Sequence, residues 1–157
     1  MIKLLRVDHR LLHGQVAVSW SKNLDIDSLL IANDDVPVNE LRKSMIKMAK
    51  PQGIKLVIKS IEDSVKAINS GVTDKYKLFI VVESVEDAYQ LAMGTEGIHQ
   101  INLGNLKKTE ETKQLSKLVN ITDEDESMLK ELVGKGIEVE ARAVPGDKKL
   151  KIQDVLK

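Results

Sequence analysis

The chain has 157 residues and a formal net charge of zero, with 24 Lys plus Arg against 24 Asp plus Glu. This length fits one domain, and the balanced charge argues against generic nucleic-acid binding, which depends on a large positive field. The sequence contains no cysteine, which excludes disulfides and thiolate metal sites.

Hydropathy narrows the class of protein further. No apolar run approaches the roughly 20 residues that a membrane-spanning helix needs. Charged and histidine residues interrupt the N-terminal stretch where a signal peptide would have its apolar core. We therefore predict a soluble, cytoplasmic, globular protein, and its core must be aliphatic because it has one Trp, two Tyr and one Phe.

The first strand and the first helix are joined by an octapeptide, Asp8–Gln15. The preceding segment, Ile2–Val7, is rich in aliphatic residues and free of Gly and Pro, which predicts a strand. After the octapeptide, apolar residues recur every four positions, which predicts a helix with one buried stripe. That stripe consists of Val16, Trp20 and Leu24.

Strands and helices alternate along the rest of the chain. Apolar segments predict strands at 27–32, 54–58, 77–82 and 98–103. The segment 38–50 has apolar residues at helical spacing, namely Leu41, Met45, Met48 and Ala49. Three more helices are predicted to begin after plausible N-cap residues, which are Ser60, Ser84 and Thr122.

The C-terminal part is predicted to add two strands. Segment 115–120 is the first, and the alternation of apolar and polar residues from Ile137 to Val144 is typical of an edge or half-exposed strand. A turn follows at 145–147, and the tail to Lys157 is predicted to be one short helix.

This order of elements predicts one α/β domain over residues 1–157. The sequence has short loops, with no linker, no low-complexity tract and no internal repeat. We expect a doubly wound, mainly parallel sheet of six or seven strands with helices on both faces. The octapeptide then lies at the carboxyl edge of the sheet, where open α/β folds bind ligands.

The side chains of the octapeptide suit phosphoryl transfer. His13 falls at the predicted helix start, where free N–H groups and the helix dipole favour an anion, and neutral imidazole is a usable nucleophile near pH 7. Gly14 lets an oxyanion approach the backbone, so Gly14 and Gln15 are the predicted phosphate contacts. Arg10 offers a planar fork for phosphoryl oxygens, and Asp8 is a candidate to orient the imidazole by accepting its second N–H.

Other interpretations of these residues stay open. A histidine at a helix start is more often a cap or a surface residue, and an isolated arginine is most often a surface charge. A zinc hydrolase using His9 and His13 lacks both an H-E-x-x-H pattern and a third ligand, so no metal is predicted. The glycine-rich dinucleotide fingerprint is absent, so no cofactor is predicted either. His99 stands at a strand start and fits a structural role.

A family resemblance covers the whole chain. The stretch Asp8-x-Arg10-Leu11-Leu12-His13-Gly14-Gln15-Val16, followed by Trp20, resembles the IIB component of the mannose/fructose/sorbose class of the bacterial sugar phosphotransferase system. Supporting matches are Asn33-Asp34, Ala49-Lys50-Pro51-x-Gly53, Asn102-Leu103-Gly104 and Arg142-x-Val144-Pro145.

The resemblance implies a phosphocarrier. In this family the histidine, His13 here, takes a phosphoryl group on Nδ1 from the IIA component. The group then passes to a sugar brought in by the membrane IIC and IID components, and Arg10 serves this second transfer. The resemblance allows a monomer or a homodimer, recruited from the cytoplasm to the membrane permease. The alternative is a regulatory or binding module of the same fold, which the presence of both His13 and Arg10 argues against.

Overall fold

The strand that leads into the octapeptide is the central strand of a seven-stranded sheet, with the order β3-β2-β4-β1-β5-β8-β9. The computed structural model describes residues 1–156. Its strands are β1 (Ile2–Asp8), β2 (Ser28–Ala32), β3 (Lys55–Lys59), β4 (Leu78–Val82), β5 (Gln100–Asn105), β6 (Lys113–Ser116), β7 (Val119–Ile121), β8 (Glu138–Ala141) and β9 (Leu150–Lys151).

Helices cover both faces of this sheet, and its strands are parallel except for β9, which pairs antiparallel with β8. The predicted fold class is therefore confirmed. The helices are α1 (Gly14–Leu24), α2 (Glu40–Ala49), α3 (Ile61–Asn69), α4 (Val85–Gly94), α5 (Asp123–Gly134) and α6 (Ile152–Val155), and a 3-10 turn spans Val36–Val38. None of the helices within residues 1–156 is long and apolar enough to cross a membrane.

The central strand β1 separates two hydrophobic cores, because successive side chains of a strand point to opposite faces of the sheet. Leu5 and Val7 belong to the core that α3, α4 and α5 cover, whereas Leu4 belongs to the core beneath α1 and α2. Arg6 and Asp8 continue the alternation of Leu4 onto the α1 side, where both are buried.

Local sequence signals fix the starts of four helices. Side-chain oxygens of Asn39, Ser60, Ser84 and Thr122 accept hydrogen bonds from the first turns of α2, α3, α4 and α5. The three N-caps predicted from sequence are confirmed. Each of these helices also has at least one acidic residue in its first turn, which favours the positive end of the helix dipole.

The strand predicted at 115–120 is wrong, because this segment turns back on itself. β6 and β7 form an antiparallel hairpin in a two-stranded sheet of its own. Leu115 and Val119 are buried, whereas Lys117 and Leu118 are exposed at the turn between the strands. The short apolar run is thus divided between the two strands of a hairpin, and each strand contributes one of the run's two buried residues to the core.

The strand predicted from Ile137 to Val144 is shorter and more buried than its alternation suggested. β8 lies between β5 and β9 rather than at an exposed edge. Glu140 is only 2% exposed, and its buried carboxylate is satisfied by two hydrogen bonds that it accepts from Arg142. The predicted tail helix is α6, which follows the short strand β9.

The apolar residues of α2 have the predicted helical spacing, but most of them face outward. Ile46 is the buried residue of this helix, at 5% exposure. Leu41, Met45 and Met48 are 72%, 61% and 86% exposed. The helix is therefore attached to the sheet through a narrow contact.

Two substitutions test this orientation of α2. Ile46→Ala should lower the free energy of unfolding by about 2–5 kcal/mol, because it leaves a cavity in the core. Met48→Ala removes a similar volume from an exposed position and should change it by less than about 0.5 kcal/mol. Urea denaturation of both variants measures the difference, and equal losses would show that α2 packs on another face.

Candidate functional site

His13 is the residue at which the octapeptide becomes α1. Its backbone is extended, with φ −142° and ψ 106°, and its side chain is exposed and makes no capping hydrogen bond. The first turn of α1 also has no acidic residue, in contrast to α2 to α5. The N–H groups at this helix start therefore have no side-chain acceptor, which is the arrangement that binds an anion.

Two residues with positive φ shape the turn before α1. Gly14 has φ +41°, and Leu11 has φ +59°. A Cβ added at Gly14 would have nothing within 4 Å, so glycine serves the left-handed backbone here and the space above it is open. Gln15 is exposed on the same first turn. Phosphate contacts by Gly14 and Gln15 thus stay a prediction that the local geometry allows.

The octapeptide is anchored rather than loose. The backbone N–H of His9 donates to the carbonyl of Asn105 at 2.9 Å, and that of Leu11 donates to the carbonyl of Asp8 at 2.8 Å. Leu11 and Leu12 are buried beneath the loop, at 3% and 7% exposure. These contacts leave Arg10 and His13 as exposed side chains on a fixed backbone.

The structure corrects the role predicted for Asp8, whose carboxylate binds two arginines and not the imidazole of His13. Its Oδ1 accepts hydrogen bonds from the backbone N–H and the Nε of Arg10, at 3.0 and 3.2 Å. Its Oδ2 accepts from Nη2 of Arg6 at 3.1 Å and from Nη2 of Arg10 at 3.3 Å. Asp8 follows Arg6 by two residues on the same face of β1, so a guanidinium lies beside this buried carboxylate.

Arg10 and His13 border a cleft of about 400 Å³ between the octapeptide and α2. Arg42 and Met45 of α2 line its other side. Sequence reasoning missed Arg42, whose guanidinium donates to Asp35 and Glu83 at 2.9 Å each. The cleft therefore combines an imidazole with two guanidinium groups, a combination suited to a phosphoryl group.

Comparison with known proteins identifies the family. The family model described as the sorbose subfamily IIB component of the phosphotransferase system matches residues 2–157. The chain belongs to this family. The resemblance noted in the sequence is confirmed, and the members of this IIB family are phosphotransferases in general.

Individual relatives agree with this assignment. The chain is 38% identical over 138 residues to the probable phosphotransferase enzyme IIB component of Streptococcus pyogenes serotype M6, with 85% of each chain covered. It is 27% identical over 156 residues to the mannose-specific EIIAB component of Escherichia coli strain K12, covering 99% of this chain and 48% of that one. The crystal structure of the IIB domain of the Klebsiella pneumoniae sorbose permease has a TM-score of 0.93 at 29% identity, covering 99% of this chain and 96% of that one.

The other two histidines of this IIB chain do not add to the site of His13: His99 lies away from the octapeptide, and His9 has no nearby set of metal ligands in the part of the chain that the structure describes. His99 immediately precedes β5, so it stands at the amino edge of the sheet, opposite the octapeptide. Within residues 1–156, no three His, Asp or Glu side chains gather in a way that could hold a metal ion. The zinc-hydrolase interpretation of His9 and His13 therefore lacks a ligand set, since catalytic zinc takes three protein ligands.

Three acidic residues, Asp34, Glu83 and Asp87, follow the carboxyl ends of β2 and β4, at the edge of the sheet where the octapeptide lies. Burial raises the pKa of Asp87 to about 6, and the charges of Glu83 and Asp34 raise it in the same direction. Arg42 pairs with Glu83, so it neutralises one member of this group. Burial therefore disfavours the charged form of Asp87 at neutral pH.

This raised pKa predicts a dependence of stability on pH. A carboxyl group whose pKa is higher in the folded state contributes stability below about pH 4, and loses that contribution as the pH rises toward and through about 6. Asp87→Asn should therefore gain stability relative to the wild type between pH 4 and 7. Asp63→Asn, at the equivalent exposed position of α3, is the matched control. Thermal unfolding from pH 4 to pH 8 measures both, and a constant difference between Asp87→Asn and wild type would contradict the shift.

Proposed function

We propose that His13 is the phosphoryl acceptor of this IIB component and that the whole chain, residues 1–157, acts as a single IIB domain. The observation that carries this proposal is the exposed imidazole of His13 at the uncapped start of α1, in a cleft that it shares with Arg10. An imidazole nitrogen attacks the phosphorus atom, forming a P–N bond as the bond to the donor breaks. The N–H groups of Gly14 and Gln15 and the dipole of α1 stabilise the oxygens that arrive.

We assign the donor and the acceptor by the logic of the system to which the family belongs. The donor is a IIA component, and the acceptor is a sugar held by the membrane IIC and IID components. The Escherichia coli relative is named as an EIIAB component and this chain spans about half of it, which supports a IIA partner. Such a carrier works in the cytoplasm and is recruited to the membrane permease. All the proposed site residues come from one chain, which suits a monomer and a homodimer equally.

The geometry of Arg10 favours a role in the second transfer. Its Nε and Nη2 face Asp8, so the Nη1 side of the guanidinium is available to phosphoryl oxygens. Phosphoryl transfer depends mainly on positioning and on stabilising charge over the equatorial oxygens. The IIA partner supplies part of that stabilisation when His13 accepts the group. A sugar hydroxyl is a poorer nucleophile, so donation needs more help from Arg10.

The alternative is a regulatory or binding module that keeps the fold without the chemistry. Such a module has no need of an accessible imidazole beside a fixed guanidinium. In this chain Asp8 orients Arg10 through three hydrogen bonds, one from its backbone N–H and two from its side chain. This organisation of the exposed site supports the phosphocarrier.

The acceptor is tested by mapping the phosphoryl group. The protein is incubated with phosphoenolpyruvate, the general phosphotransferase proteins and a cognate IIA component, and the acid-labile group is located by mass spectrometry. We expect it on His13, and we expect His13→Ala to remove it while His9→Ala keeps it. Labelling of His13→Ala at the wild-type level would refute the proposal, and a wild type that takes no label would favour the regulatory module.

Arg10→Lys separates the two half-reactions, because lysine keeps the charge but loses the planar fork. We expect near-normal phosphoryl uptake from IIA and a loss on the order of 10²–10³-fold in sugar phosphate formed with membranes carrying IIC and IID. Both rates are measured on the same purified variant. Equal losses in the two assays would show that Arg10 serves both steps or the fold alone, and normal rates in both would make it a bystander.

A further inference from the structure

Three polar residues form a buried row across the sheet beneath the octapeptide. Arg6 on β1 stands opposite Asn102 on β5, and Asn102 stands opposite Glu140 on β8. Their exposures are 3%, 0% and 2%. Each has apolar neighbours along its strand that face the opposite core, so the row lies on the α1 side of the sheet. Buried polar groups of this kind are costly unless each one is paired.

Every member of the row is hydrogen-bonded to the next. Nη1 of Arg6 donates to Oδ1 of Asn102 at 2.6 Å and to the carbonyl of Arg142 at 3.3 Å, and Nη2 of Arg6 donates to Asp8 at 3.1 Å. Nδ2 of Asn102 donates to Oε1 of Glu140 at 2.9 Å. Arg142 closes the row with two hydrogen bonds to Glu140, at 2.9 and 3.1 Å.

Two further residues confine the guanidinium of Arg6. A Cβ added at Gly104 would overlap this guanidinium, so the glycine makes the space in which it lies. The ring of Trp20 lies on another side, with its centroid 5.5 Å from the guanidinium carbon. The indole N–H of Trp20 donates to the carbonyl of Ala143 at 3.0 Å, which fixes the ring in turn.

Stability alone does not explain this arrangement. Burial lowers the pKa of the Arg6 guanidinium, against the opposing influence of Asp8. Replacing a buried ion pair by apolar residues is often neutral or stabilising, so the row is weak support for a purely structural role. One end of it leads, through Asp8, to the exposed side chain of Arg10.

We propose that Arg6 is a positioning residue for phosphoryl transfer: confined by Gly104, Asn102 and Trp20, it fixes the Asp8 carboxylate that orients Arg10 toward the cleft of His13. This inference rests on the proposed function of His13 and Arg10. It gives one purpose to motifs that lie far apart in the sequence, namely Asn102-Leu103-Gly104, Arg142 and Trp20. An active-site group is effective only when its supports hold it within a narrow range of positions.

The test uses Arg6→Lys, which keeps the charge but cannot bind Asn102 and Asp8 together in the same geometry, and Gly104→Ala, which puts a methyl group where the guanidinium lies. Val7→Ala is the matched control, because Val7 is a fully buried neighbour on β1 that faces the other core. Losing a group that only orients an active-site residue costs about 10- to 100-fold in activity where this is known best, at metal sites. We expect a loss of the same order in sugar phosphorylation for both test variants. Phosphoryl uptake by His13 should stay close to that of Val7→Ala.

A double-mutant cycle separates positioning from folding. If Arg6 acts through Arg10, then Arg6→Lys should cost little in a protein that already carries Arg10→Lys, because the effects of residues in one hydrogen-bond network are not additive. A merely structural effect would multiply with that of Arg10→Lys. Multiplying losses in sugar phosphorylation, or a normal rate for Arg6→Lys, would overturn the proposal. If Gly104→Ala does not fold, Arg6→Lys decides the question alone.

A readout that needs no activity completes the test. The Nε–H of Arg10 is hydrogen-bonded to Asp8. Its NMR signal should show an ordered side chain in the wild type and in Val7→Ala, and averaged motion in Arg6→Lys. An equally ordered Arg10 in folded Arg6→Lys would overturn the positioning role. Absence of label on wild-type His13 would instead refute the proposed function, so the two failures are distinguishable.

Discussion

A fully buried carboxylate at the end of the central strand determines how the octapeptide folds. Asp8 is 0% exposed, and an ionised carboxylate in such a place costs several kcal/mol unless it is paired. Arg6 supplies one partner from within β1, and Arg10 supplies another by folding back over the strand end. The backbone N–H of Arg10 is bound at the same time, so the carboxylate also sets the path of the chain. The turn that leads to His13 starts from this constraint.

The sheet surrounds that carboxylate asymmetrically. On the α1 face of the sheet, the neighbour of β1 on one side is β4, where Phe79 and Val81 are apolar and buried. On its other side β5 and β8 present Asn102 and Glu140. Guanidinium groups are therefore accommodated on one side only, and Trp20 of α1 packs where the polar row meets the apolar core. A parallel sheet brings such residues together because register, not sequence distance, determines which side chains are neighbours.

This dependence on register explains which features the sequence could predict. Local patterns of a few residues predict the alternation of strands and helices and the position of His13 at a helix start. They also predict the N-caps Ser60, Ser84 and Thr122. The pairing of Arg6 with Asp8 was not predicted in this way, although the two are only two residues apart, because the site of Arg6 is formed by a residue distant in sequence: Asn102 is 96 residues away. For the same reason, the burial of Glu140 was not predicted. Polar residues at every second position predicted an exposed face, and only the pairing of β8 with β5 shows that Glu140 faces another polar residue, Asn102.

The pairing of Arg10 with Asp8 also bears on the central demand of a phosphocarrier, which must gain the group and then release it. With His13 as the proposed acceptor, an unpaired guanidinium beside it would bind a phosphoryl dianion strongly and stabilise the phosphorylated state. Asp8 occupies the Nε and Nη2 side of Arg10 and contributes a negative charge of its own, which weakens that hold while keeping the free Nη1 in place. Catalysis requires interactions that are stronger in the transition state than in the stable states on either side of it. In the proposed mechanism, a guanidinium that is fixed in position but partly neutralised satisfies this requirement better than a free one, and the buried row beneath it would keep that balance the same in each cycle.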